Sequence, residues 1–311
     1  MEPILDKEKI YGDWATLLLP ITSQNEIDYT LLSEEIDILI DAEVTGIYSN
    51  GTAGEFYNQT ETEFDKIQTL LAEKCNAAGM PFQIGCSHMS PQISFERLHR
   101  AKHLKPSAIQ IILPDWWSPS DDEMFAFLEK ICAEADPVGI VLYNPPHAKK
   151  QLSPTDFMRI KTMQIPLIGC KVAGGSDQWY NEMREKMNHL SVFIPGHYMA
   201  SGLQNGAQGS YSNVSCLNPR VTHEWYESTK TDMQGALELE KRICFFMESC
   251  IKPYLGKNSY SNQAADKFMA AVGGWCGIDS RLRWPYRNIP MEDVSRVRDK
   301  ATQILPEFFN L

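Results

Sequence analysis

The chain has 311 residues, of which 43% are hydrophobic and 22% charged, with a formal net charge of -11. This is the composition of an ordinary globular protein with a sizeable core, which excludes a disordered or membrane-embedded chain, and one large barrel accommodates the length. The acidic balance, with no basic stripe interleaved with aromatics, argues against a nucleic-acid partner.

Short β-forming runs alternate with longer helical patterns along the chain. Residues 15–19 precede a helix near 28–42; 46–49 one near 60–78; 82–86 one near 91–104; 108–113 one near 120–135. The cadence continues with 139–143 before 153–163, 167–172 before 177–186, 192–194 before 199–205, and a last run at 208–212. This is βα repeated about eight times, the rhythm of a closed parallel TIM (β/α)8 barrel. An open doubly wound sheet is the competing α/β fold, but no Gly-x-Gly-x-x-Gly follows the first strand. After Pro219 the strands stop, and helical patterns near 221–230, 233–254, 262–273 and 291–309 form a C-terminal helical extension, with 281–286 as a loop inside it. The expected division is therefore a barrel core over residues 1–218 and an extension, including the final barrel helix, over 219–311.

The N-terminal Met1-Glu2-Pro3-Ile4-Leu5-Asp6-Lys7 lacks the basic and apolar regions of a signal peptide, and no apolar run is long enough to span a bilayer. Eight cysteines (Cys75, Cys86, Cys132, Cys170, Cys216, Cys244, Cys250, Cys276) are scattered without a Cys-x-x-Cys pair. They read as reduced core thiols of a cytoplasmic protein.

In a parallel barrel the chemistry sits at the C-terminal ends of the strands. Lys171 ends the apolar run Leu167-Ile168-Gly169-Cys170-Lys171-Val172. Burial there would lower its proton affinity and make the amine a nucleophile toward a carbonyl; the plainer alternative is a lysine that snorkels to solvent. The second strand ends in Asn50-Gly51-Thr52-Ala53-Gly54-Glu55. Its glycines permit a tight turn whose Thr52 and Ala53 amides could cradle a small carboxylate. The fifth ends in Leu142-Tyr143-Asn144-Pro145-Pro146, where the prolines stop the strand and fix the Tyr143 phenol.

Gly51-Thr52-Ala53-Gly54-Glu55, Tyr143-Asn144-Pro145 and Gly169-Cys170-Lys171, in this order, resemble the dihydrodipicolinate synthase and N-acetylneuraminate lyase family of Schiff-base aldolases. The likeness continues through Phe193-Ile194-Pro195-Gly196 and the segment from Ala200 to Gly209, and covers roughly residues 10 to 300. It implies a barrel with a helical extension and no cofactor or metal. Lys171 would form an imine with pyruvate or another 2-oxo acid, Tyr143 would pass protons, and Thr52 with the Thr52-Ala53 amides would hold the carboxylate. It also implies a homotetramer, a dimer of dimers, in which the loop bearing Trp116 and Trp117 reaches a neighbouring subunit.

The pattern breaks where the second substrate would bind. The arginine of dihydrodipicolinate synthases matches Ala148 here, their interface tyrosine matches Trp116, and the second hydroxyl of the strand-two loop is replaced by Ala53. His197-Tyr198-Met199 replaces the acidic pair that follows Gly196 in sialic acid lyases. His147, His197, Tyr211 and Asn213 fall near strand ends and could contact the aldehyde portion. His88 has no second ligand at metal-binding spacing on its element. The expected function is thus an aldolase that makes or breaks a carbon-carbon bond to a 2-oxo acid. Its alternatives are a hydro-lyase on a 3-deoxy-2-oxo sugar acid using the same lysine, or a non-catalytic ligand-binding barrel.

Overall fold

The computed structural model describes residues 10–256 and 259–309. Eight parallel strands form a closed barrel in sequence order: Gly12–Thr16 (β1), Gly46–Ser49 (β2), Phe82–Gly85 (β3), Ala108–Ile111 (β4), Ile140–Tyr143 (β5), Leu167–Lys171 (β6), Ser191–Pro195 (β7) and Gly209–Ser212 (β8). β8 returns to β1 with Gly12 opposite Gly209 and Trp14 opposite Tyr211. Around them run Tyr29–Asp41 (α1), Glu61–Ala78 (α2), Pro91–Ala101 (α3), Asp121–Ala135 (α4), Pro154–Thr162 (α5), Asp177–Lys186 (α6), Met199–Gln204 (α7) and Pro219–Ser228 (α8). Several helix starts are written in the sequence. Thr60 with Glu63, Ser120 with Glu123 and Ser153 with Asp156 form capping boxes, each satisfying otherwise unpaired backbone N–H groups.

Two elements depart from the sequence reading. β1 covers residues 12–16 rather than 15–19, because Gly12, at φ +90°, carries the chain past the Thr45 side chain while its N–H reaches Gln208 O at 2.9 Å. Leu17 still bonds Tyr48 O, but Leu18 and Leu19 lie past the last paired residue of β1 and are apolar because they are buried. The long helix expected over 233–254 is Met233–Phe246 (α9), a π-helical turn Met247–Ile251, and Lys252–Leu255 (α10). Pro253 has no N–H to give the preceding turn, so the regular ladder cannot run through it.

Inside the barrel, Trp14, Tyr48, Val141, Phe193 and Tyr211 fill the space between strands, Phe193 and Tyr211 with ring centroids 4.6 Å apart. A second apolar cluster, with Val214, Leu217, Trp225, Phe246, Phe268 and Phe308, joins β8's connection to α8, α9, Asn262–Gly273 (α11) and Asp293–Ile304 (α12). α11 is fastened to the barrel by charge. Fully buried Lys267 donates to Glu55 Oε1 and to Arg281 O, both at 2.7 Å, and Glu55 Oε2 accepts the Arg283 N–H at 3.1 Å.

Removing one member of such a pair strands its partner's charge in the interior, at a cost of roughly 3–5 kcal/mol. Lys267→Met is expected to lose about that much in urea unfolding, and Glu55→Leu combined with Lys267→Met to regain most of it, since a buried pair often exchanges for apolar residues with little loss. A single variant within about 0.5 kcal/mol of wild type, the range of an ordinary surface change, would show that the pair anchors nothing.

Candidate active site

The C-terminal strand ends and the helical extension enclose a cavity of about 480 Å³. Lys171, the last residue of β6, stands in it with its Nζ 4.5 Å from the ring centroid of Tyr143, 4.8 Å from that of Tyr48 and 5.2 Å from that of Tyr211. The rings strip water from the amine instead of letting it snorkel. Burial lowers its pKa from 10.5 to about 8, against Asp266 and Cys216, which favour the ammonium. That shift amounts to roughly 3 kcal/mol in favour of the neutral amine. It exceeds what ring faces usually return to a cation, about 0.5–2 kcal/mol.

Tyr143 ends β5 directly beside Lys171 in the barrel register. Burial raises its phenol pKa, the Thr52 hydroxyl pulls it back, and Asp266 pushes it up again. At neutral pH this phenol is therefore a proton donor. In the β2 loop the Gly54 N–H bonds Gly51 O and the Glu55 N–H bonds Thr52 O, each at 3.1 Å. Among the described residues, the Thr52 and Ala53 N–H groups have no acceptor, and both residues line the cavity. Two unpaired N–H groups in a tight turn make a concavity suited to an anion. Gly54 permits the turn, since a Cβ there would come 3.0 Å from Asn50 N and 3.2 Å from Leu17 O.

The remaining sequence candidates divide. His197 and Asn213 line the wall together, with His197 Nδ1 3.2 Å from Asn213 Oδ1 and burial lowering the imidazole pKa. Tyr211 presents its ring, while its hydroxyl donates to Gln83 Oε1 at 2.6 Å. Gly196 lies behind the wall, where a Cβ would meet Ser212 Oγ at 2.5 Å, so it allows β7 and β8 to approach rather than touching a ligand. His147 is exposed and outside the cavity lining. The Pro145-Pro146 turn, closed by the Ala148 N–H on Pro145 O at 3.1 Å, carries it away from the strand end. His88 Nδ1 accepts the Ser90 N–H at 2.9 Å, a local brace at the start of α3. The described residues contain no group of three or more His, Cys, Asp or Glu able to hold a metal.

Among the cavity residues that the sequence did not point to, two act directly on Lys171. Tyr48 lies on β2 with its hydroxyl 3.5 Å from Lys171 Nζ. Asp266 is on α11, where burial raises its carboxyl pKa from 3.8 to about 7 while Lys171 holds it down. Its signal was present: Asp266-Lys267 puts two charges inside the otherwise apolar Ala264-Ala265 and Phe268-Met269-Ala270 run.

The model of the Dihydrodipicolinate synthetase family matches residues 9–264. The chain belongs to that family. The 4-hydroxy-tetrahydrodipicolinate synthase of Coxiella burnetii is 27% identical over 233 residues, 74% of this chain and 78% of that protein. That of Thermomicrobium roseum is 27% identical over 214 residues, 68% and 70% of the two. Two solved structures share the fold. YagE, a prophage protein of E. coli K12 in complex with pyruvate, aligns with a TM-score of 0.83 at 18% identity over 95% of this chain and 98% of its own. CdNal of Clostridium difficile, in complex with mannosamine, aligns at 0.80 and 17% over 96% and 99%. The family consists of lyase-type aldolases, so the chain is an enzyme and the non-catalytic barrel is set aside. No helix among the described residues is long and apolar enough to cross a membrane.

Only the neutral amine attacks a carbonyl, so the reactive fraction of Lys171 rises with pH and levels off above its pKa. Competitive labelling of Lys171 with a low concentration of acetic anhydride across the pH range is expected to give a midpoint at about 8. A midpoint at the ordinary lysine value of 10.5 would contradict the desolvated amine.

Proposed function

We propose that this enzyme is a class I lyase that cleaves or forms a carbon-carbon bond between pyruvate, or another 2-oxo acid, and an aldehyde through an imine on Lys171. The observation that carries the reading is the amine itself, enclosed by Tyr48, Tyr143 and Tyr211, with a pKa of about 8. Its Nζ attacks C2 of the 2-oxo acid, and loss of water leaves an imine that draws electrons from the neighbouring bond. The Thr52 and Ala53 amides suit the carboxylate and so orient C2 against the amine. Tyr143, holding its proton, donates a hydrogen bond to the oxygen that changes between hydroxyl and carbonyl. The hydro-lyase alternative uses the same imine and differs in product, since it releases water and no aldehyde.

Dihydrodipicolinate synthesis itself is not the reaction we assign. Ala148 occupies the loop position of the expected arginine, and Lys252, the cation besides Lys171 among the described cavity residues, is paired with Glu248 at 2.7 Å. We also propose that the enzyme is a homotetramer with the loop after β4 at a dimer contact. Trp116 and Trp117 there are 76% and 81% exposed on the single chain, an apolar patch that a soluble protein normally covers. Light scattering is expected to give a particle of four 35.3 kDa chains, and a one-chain mass at micromolar concentration would contradict it.

Borohydride added during incubation with pyruvate is expected to leave a stable mass increase on Lys171 in the wild type and none in Lys171→Ala, which should fold normally because only a costly buried amine is lost. Tyr143→Phe should still trap pyruvate but turn over roughly 10²-fold more slowly, the usual effect of losing one donor to a developing oxyanion. Failure of the wild type to trap any 2-oxo acid would end the imine reading.

A further inference from the structure

Of the two carboxylates that the described residues place in the cavity wall, Glu248 is exposed and tied to Lys252, whereas Asp266 has no hydrogen-bond partner among those residues. α11 points it into the cavity that holds Lys171 and Tyr143, and its charge acts on both, and on Tyr48 and Cys216. An unpaired carboxylate kept beside a reactive amine is costly unless something is to meet it. Among the described groups whose charge acts on Lys171 or Tyr143, Asp266 is the one able to accept a proton near neutral pH, since burial raises the Cys216 thiol well above its usual range, and His197, the other base in the wall, is turned to Asn213. Tyr143 is a donor at neutral pH, Thr52 is followed by Ala53 rather than a second hydroxyl, and Trp116 is exposed and carries no hydroxyl.

We infer that Asp266 is a catalytic residue, the base that removes the proton from the C4 hydroxyl of a 4-hydroxy-2-oxo acid and the acid that delivers it to C3. This rests on the imine reading and assigns its proton traffic. With the substrate held as the protonated imine on Lys171 Nζ, Asp266 takes the C4 hydroxyl proton and the O–H electron pair becomes the aldehyde C=O. The C3–C4 pair moves to form C2=C3, and the C2=N pair returns to nitrogen as an enamine. After the aldehyde leaves, the Asp266 carboxylic acid protonates C3, restoring the iminium. Water then releases pyruvate and returns Lys171 as the ammonium, which loses its proton to solvent before the next turnover. One proton enters and leaves Asp266 in each turnover, and its pKa of about 7 suits both directions at neutral pH.

The test needs no knowledge of the aldehyde, because C3 protonation run backwards exchanges the methyl protons of pyruvate with solvent. Pyruvate in D2O, followed by proton NMR, is expected to lose its methyl signal with the wild type. Asp266→Asn, isosteric and expected to melt no lower than wild type, should still trap pyruvate with borohydride yet exchange at least 10²-fold more slowly, the lower end of what a positioned acid–base group contributes. Asp266→Ser should behave alike. Exchange at the wild-type rate in either variant, or loss of trapping in both while the wild type traps, would overturn the assignment. Absence of trapping in the wild type would instead remove the imine on which it rests.

Discussion

The buried ion pair between Glu55 and Lys267 is the constraint from which the cavity follows. Glu55 closes the loop that presents Thr52 and Ala53, and Lys267 belongs to α11 of the extension, so a single contact at 2.7 Å locks the anion cradle to the helix above it. On an α-helix, successive side chains point about 100° apart. With Lys267 pinned to the barrel, its neighbour Asp266 is therefore turned along a different direction, into the cavity. A pair of this kind costs desolvation and is weak support for stability on its own account. Its contribution here is registry, since it determines where the extension sits over the strand ends.

The cavity then works by withholding water. Three tyrosine rings surround Lys171, and the result is an amine whose neutral form is populated near neutral pH. Asp266 opposes that shift and Lys171 opposes the shift of Asp266, so each keeps the other within range of the solvent pH. The same burial moves Tyr143 the other way and fixes it as a donor. One physical cause thus shifts all three groups toward the roles proposed for them, nucleophile, acid–base and hydrogen-bond donor.

Much of this was legible in the chain. The alternation of short apolar runs with capped helices gives the barrel, because a buried parallel strand must be apolar on both faces and each helix start needs its own cap. Lys171 stood out because a charge at the end of such a run must either snorkel to solvent or lose proton affinity, and the matching segments around Thr52 and Tyr143 favoured the second. What stayed hidden depended on which residues share a face across distant elements. Tyr48 is one more aromatic in a strand until β2 is seen to bring it to Lys171, 123 residues away in sequence. His147 sits beside Tyr143 in sequence, but the two prolines between them turn it outward, and sequence proximity said nothing of that direction. Asp266 was obscured by its neighbour, since Asp266-Lys267 reads as a solvated pair unless the helix is known to be buried.

A crystal structure of the borohydride-reduced pyruvate complex tests the imine, the cradle and the carboxylate together. The expected result is a covalent bond from Lys171 Nζ to C2, the pyruvate carboxylate on the Thr52 and Ala53 N–H groups at about 3 Å, and the Asp266 carboxylate facing C3. Pyruvate bound without that bond, or with its carboxylate turned away from the Thr52-Ala53 amides, would contradict it.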